Sequence, residues 1–237
     1  MLIQIPIRNR FIDMLNAISF VPSRGYKIFL NENGFICPVL SEDQTMNVVF
    51  KSTTMSSFEV ENLLSLSIPD IESFKKFFKN LPSKEAVIEY DEHLNSIKHD
   101  AVKLSLNGMN VIPGNLNVKK PFIGGWYVAE ITDVDSLHVM CSHNKMGDRI
   151  ELNNRKINLY TWEMEVSVVD AEKQEVGEEF KALLDRSVMK TITKIHKKIG
   201  LGSMYIKIFK DPSVPLIQFR GDGVNYIAYC GKLYEGK

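Results

Sequence analysis

The sequence predicts an α+β protein made of two similar halves, each with two helices packed on an antiparallel sheet. Three observations predict it. Short runs of alternating apolar and polar residues, separated by turn signals, recur along the chain and mark strands. Three stretches repeat their apolar residues every three or four positions and mark helices, and a fourth, shorter stretch reads as a helix. The order strand, helix, strands, helix, strands then occurs twice, on either side of a central stretch rich in Asn, Gly and Pro.

The first half opens with a short strand at Leu2–Ile5, after which Pro6 suits the first turn of a helix. Ile7, Phe11, Leu15 and Ile18 give that helix an apolar face, and Arg8 and Arg10 are its basic residues. Strands are expected at Tyr26–Leu30, Phe35–Leu40 and Met46–Lys51, the first two joined by the hairpin signal Asn33-Gly34. Further strand-like sequence occupies Phe58–Ser67. Pro69-Asp70 opens a second helix, in which Ile71, Phe74, Phe77, Phe78 and Leu81 form the apolar face and Lys75, Lys76 and Lys79 are basic. Pro82 ends it, and strands follow at Glu85–Tyr90, Leu94–Lys98 and Ala101–Leu106.

Residues 109–121 have no sustained period and read as a linker between a first domain, 1–108, and a second, 122–237. The second domain begins with a strand at Phe122–Ile131 and a short helix at Asp133–His143, with Thr132 as a candidate cap. Strands at Arg149–Leu152, Lys156–Tyr160 and Glu163–Val169 precede a long helix from Gly177 to Gly200. Phe180, Leu184, Val188, Ile192, Ile195 and Ile199 share one face of it; Arg186, Lys190, Lys194 and Lys197 gather opposite. Glu178 and Glu179 would lie in its first turn and Lys197 and Lys198 in its last, as the helix dipole prefers. Strands at Met204–Phe209, Leu216–Phe219 and Val224–Tyr229 complete the chain.

The 237 residues suit two ordinary domains. Equal numbers of basic and acidic residues, 29 each, exclude a histone-like coat, so any affinity for nucleic acid must come from uneven charge distribution. Three widely spaced cysteines, Cys37, Cys141 and Cys230, argue for a reducing compartment. MLIQIPIRNRF is too short and too quickly charged for a signal peptide, and no apolar run approaches the ~20 residues of a membrane span. A soluble intracellular protein is expected, cytoplasmic or nucleoid-associated, or nuclear in a eukaryotic host.

A Lys-rich helix face is often merely solvated. The alternative is a face that meets phosphates without reading bases. Other chemistry competes with it. His138, Cys141 and His143 in HVMCSH have spacing that could hold a metal, with Asp148 near, and Asp133 and Asp135 could chelate a divalent ion. Plainer roles are a helix end with scattered polar groups, and two acids at a helix N-terminus. There is no P-loop, no G-x-S-x-G and no H-E-x-x-H; Gly200-Leu201-Gly202 follows a helix and precedes a strand, the reverse of a dinucleotide fingerprint.

FIDMLNAISF, IFLNENGFICPVLSEDQTMNVVF and SIPDIESFKKFFKNL in the first half, with FKALLDRSVMKTITKI, MYIKIF, VPLIQF and VNYIAY in the second, resemble DNA sliding clamps of the proliferating cell nuclear antigen type. Two departures stand out. The helix at Asp133–His143 is short and not basic, and the last strand ends in Ala228-Tyr229-Cys230 rather than a small residue and proline. The resemblance implies two clamp domains per chain and a closed ring of three chains, a homotrimer or a heterotrimer with related subunits. Strands Ala101–Leu106 and Glu163–Val169 would meet at subunit edges. Helices would line a channel around duplex DNA, held without sequence preference, with sheets outside. Arg8, Arg10, Lys75, Lys76, Lys79, Lys181, Arg186, Lys190, Lys194, Lys197 and Lys198 would face it.

The implied function is replication processivity: the ring tethers DNA polymerase and other replication proteins, and a clamp loader supplies the ATP chemistry. The chain itself would be no enzyme and carry no cofactor or metal. Partner peptides would dock where Val39, Leu40 and Met46, the linker residues Val111, Ile112 and Leu116, and Pro215, Tyr226 and Tyr229 converge. The alternatives are a specialised clamp for DNA-damage signalling or transcription activation, and a metal-dependent nucleic-acid enzyme built on His138, Cys141, Asp133 and Asp135.

Overall fold

The computed structural model describes residues 2–5, 8–31, 34–52, 64–81, 86–107, 126–143, 149–153, 156–160, 165–170, 172–173, 181–209, 216–223 and 225–231. The chain divides into two compact units, Met1–Leu116 and Asn117–Lys237. Pro6, Ile7, Asn33 and the linker expected at 109–121 lie outside the described residues.

Unit 1 runs β1 (Leu2–Ile5), α1 (Arg8–Ile18), β2 (Tyr26–Asn31), β3 (Gly34–Leu40), β4 (Met46–Ser52), β5 (Leu64–Ile68), α2 (Ile71–Lys79), β6 (Ala86–Asp91), β7 (Ser96–His99) and β8 (Val102–Ser105). Its strands pair antiparallel in the orders β1-β6-β7-β8 and β5-β2-β3-β4. Met46, Val48, Phe50 and Ser52 of β4, and Leu64, Leu66 and Ile68 of β5, are buried on alternate positions. That is the pattern of a sheet with one covered face. Phe11 of α1 provides cover: its ring stands 5.9 Å from Phe35 of β3 and 5.0 Å from Phe78 of α2, both edge-on. Helix α2 starts where Asp70 accepts hydrogen bonds from the Glu72 and Ser73 amides, which satisfies two otherwise orphaned donors.

Unit 2 runs β9 (Trp126–Ile131), α3 (Val134–Ser142), β10 (Arg149–Asn153), β11 (Lys156–Tyr160), β12 (Glu165–Asp170), β13 (Glu172–Lys173), β14 (Lys181–Asp185), α4 (Arg186–Ile199), β15 (Met204–Phe209), β16 (Leu216–Gly221) and β17 (Tyr226–Gly231). Its strands pair as β14-β10-β11-β12 and β9-β15-β16-β17, with β13 on the far side of β9. These are the orders of unit 1 repeated: β9 takes the place of β1, and β14 that of β5. The duplication of element order is therefore a duplication of sheet topology.

Two expectations need correction. The helix expected from Gly177 begins only at Arg186, because Lys181–Asp185 is a strand paired residue for residue with Asn153–Arg149. Ala182, Leu183 and Leu184 are all buried in succession, which suits a strand covered on both faces and breaks helical periodicity. The first turn is capped by Asp185, whose carboxylate accepts from the Ser187 amide at 2.6 Å; Glu178 and Glu179, expected in that turn, lie outside the described residues. The cap of α3 is Asp133, which accepts from the Ser136 amide at 2.9 Å, and not Thr132.

The end of α4 is locked by a buried imidazole. His196 Nδ1 lies 2.9 Å from the Tyr226 hydroxyl on β17, and its Nε2 lies 3.1 Å from Gly202 O. A carbonyl only accepts, so Nε2 carries the hydrogen and Nδ1 accepts from the tyrosine. Burial, outweighing the hydrogen bond to Gly202 O and the more distant charges of Asp222 and Asp135, holds the imidazole below its ordinary pKa. A folded pKa below the unfolded one makes acid destabilising. The contribution is complete above the unfolded value of about 6.5 and is lost as pH falls below it toward the folded value. The urea midpoint should therefore drop between pH 7.5 and pH 5.5, and His196→Gln should flatten part of that drop. His138, held low in the same direction, accounts for a further part.

Candidate nucleic-acid interface

Helix α4 turns Val188, Met189, Ile192, Ile195 and His196 inward. At 100° per residue, Arg186, Lys190, Lys194, Lys197 and Lys198 fall within about 120° of the helix circumference on the opposite side. Lys190, Lys194, Lys197 and Lys198 are exposed. Arg186 Nη1 donates to the backbone oxygen of His143, the residue that caps the end of α3, at 2.8 Å, and Lys197 Nζ stands 2.8 Å from Asp135 Oδ1 of α3. Lys181 sits on β14, off the helix altogether, so it does not belong to this stripe. Helix α3 carries no Lys or Arg, and exposes Asp135 and Val139 instead.

In unit 1, Arg10, Lys76 and Lys79 are exposed on α1 and α2. Arg8 lies on α1, but its side chain is outside the described set. Lys75 departs from its expected place: it is only 8% exposed, and its ammonium donates to Ser19 Oγ at 3.0 Å and pairs with Glu72 at 2.7 Å. It pins the end of α1 to α2 rather than facing solvent. A signal for this was present, since Lys75 lies four residues after Ile71 and three before Phe78 and so falls inside the apolar stripe.

Among the described residues the metal candidates do not converge. His138 Nδ1 lies 2.9 Å from Thr193 Oγ1; Cys141 is buried, and burial pushes its thiol up to about 12. Asp133 is a helix cap and Asp135 pairs with Lys197. Among the described residues no three His, Cys, Asp or Glu side chains gather as a metal site. Asp148 lies outside them. All three cysteines are buried and free.

The expected partner site meets a different arrangement. Val39, Met46 and Tyr226 are buried core residues, and Tyr226 is engaged with His196, so they do not line an open surface. Leu40 and Tyr229 are half-buried, and the Tyr229 hydroxyl accepts from Gln218 at 2.9 Å. Val111, Ile112, Leu116 and Pro215 lie outside the described residues.

No protein-family model and no curated protein sequence matches the chain. Solved structures do. A proliferating cell nuclear antigen of Entamoeba histolytica superposes with a TM-score of 0.75 over 98% of each chain, at 10% identity. The fold is that of proliferating cell nuclear antigen. A chain of the PCNA2-PCNA3 complex of Sulfolobus tokodaii agrees with a TM-score of 0.70, over 99% of this chain and all of that one, at 12% identity. The PCNA fold thus spans both units and is carried by topology, with few residues in common. Among the described residues no helix is long and apolar enough to cross a membrane.

Proposed function

We propose that this chain is a DNA sliding clamp, a processivity factor that encircles duplex DNA and tethers DNA polymerase, with a separate clamp loader to place it there. The observation that carries the reading is the PCNA fold over nearly the whole chain, combined with exposed cations on helices of both units. Edge geometry supports assembly. β8 and β12 each stand at an end of their pairing order, the position from which a strand can add to another chain. Head-to-tail addition that closes gives a ring. The cations suit a sliding tether because contacts to phosphates alone do not fix a position along the sequence.

The test is retention on closed circular DNA after loading. Lys190→Ala, Lys194→Ala and Lys198→Ala together remove exposed charge while leaving the Arg186 and Lys197 ties intact. The variant should keep the parent's particle mass by light scattering and lose retention. Its logarithmic salt slope should fall by about one for each lysine that meets a phosphate. Unchanged retention across a salt series would mean that this face is only solvated.

A further inference from the structure

His138 lies in the seam between α3 and α4, half-exposed, with Nδ1 2.9 Å from Thr193 Oγ1. The threonine hydroxyl has one hydrogen, and it is committed: Oγ1 donates to Lys190 O at 3.0 Å. Thr193 must therefore accept from the imidazole. Nδ1 carries the hydrogen, and in the neutral ring Nε2 carries a lone pair. Among the described residues, the charges that act on the ring are Lys190, Lys194 and Lys197, which stand three before, one after and four after Thr193 on α4, and Asp135, which is on its own helix and pairs with Lys197 at 2.8 Å. Burial first, and then these three lysines, hold the imidazole below its ordinary pKa, against the smaller opposing pull of Asp135. A basic nitrogen thus sits among the ammonium groups that α4 would offer to DNA.

We propose that His138 is a proton-linked phosphate contact: as a DNA phosphate settles among Lys190, Lys194 and Lys197, Nε2 takes up a proton from solvent and donates it in a hydrogen bond to that phosphate. The phosphate offsets the lysine charge that kept the ring neutral and adds a negative charge beside it. Nδ1–H stays on Thr193 throughout, so the ring need not turn. Binding that takes up a proton strengthens as pH falls, by up to tenfold per pH unit for one full proton. The α3 helix, which has no lysine or arginine, would then supply a positive contact only when DNA is present. This rests on the sliding-clamp reading above.

The test uses the intact chain and a short duplex DNA at low salt. NMR should follow the His138 ring, assigned by its loss in His138→Asn. Asparagine places an amide nitrogen where Nδ1 stands and keeps a donor to Thr193, but cannot titrate; His138→Gln is the second non-titrating variant. The His138 midpoint should rise on adding DNA, and wild-type affinity should weaken several-fold between pH 6.0 and pH 7.5. Both variants should still bind, with that pH dependence reduced. An unmoved midpoint in bound protein, or the same pH dependence in both variants, would overturn the proton contact and leave the clamp reading standing. Absence of wild-type binding at every pH would overturn the clamp reading, and the contact with it.

Discussion

Phe78→Ala is expected to cost about 3–5 kcal/mol of stability, the usual loss for truncating a fully buried phenylalanine. Phe78 is 0% exposed. Its ring meets Phe11 at 5.0 Å, Phe74 at 5.0 Å and Phe77 at 5.3 Å. Phe11 in turn stands on Phe35 of β3. The alanine leaves a void at the junction of both helices, and the three rings against it, one of them backed by Phe35, cannot collapse into it cheaply. Urea denaturation checks the value. Phe78→Leu should recover more than half of the loss, because it refills most of the space. A cost below about 1 kcal/mol would show that α1 and α2 close around the gap.

Gly200→Ala is the second large effect. Glycine at a helix end ordinarily supplies a left-handed turn. Gly200 does not: its φ of −68° is open to any residue. It is glycine for lack of room. A Cβ there would stand 2.5 Å from the backbone oxygen of His196 and 2.6 Å from its Cγ. The oxygen is fixed by the bond it accepts from the Gly200 amide, and the ring by Tyr226 and Gly202. Neither can step aside alone. The last turn of α4 must unwind, at a cost of about 1–3 kcal/mol or more. Amide exchange of the residues before Gly200 should accelerate and the melting temperature should fall. Exchange at the parent rate would mean that the turn relaxes freely. Gly202, at φ +60°, is the position where left-handed backbone does require glycine.

Unit 1 was legible because its signals agree. Apolar spacing, the Asp70 cap and Pro82 all point to α2, and alternation marks β4 and β5 without competition. Unit 2 was harder at one place. Phe180, Leu184 and Val188 keep helical spacing across a boundary where Asp185 changes the backbone from ladder to helix. The ladder partner that decides it, Arg149–Asn153, is about thirty residues away in sequence. Long-range pairing of this kind leaves no trace in a local period. The basic stripe was legible from spacing alone, but its internal ties were not. Asp135 lies on another helix and His143 caps its end, and nothing local announces that they reach Lys197 and Arg186. The partner residues Val39, Met46 and Tyr226 rest on the resemblance, which identifies positions but not which face of a strand each takes.

The short edge strand β8 has a mechanical consequence. It spans only four residues, Val102–Ser105. A seam made on an edge of that length holds about four ladder bonds, each with a net contribution of roughly 0.5–1.5 kcal/mol. In the proposed ring such a seam is a latch and not a weld. It can be parted without unfolding either domain, which is what a closed circle needs if a polymer without accessible ends is to enter it.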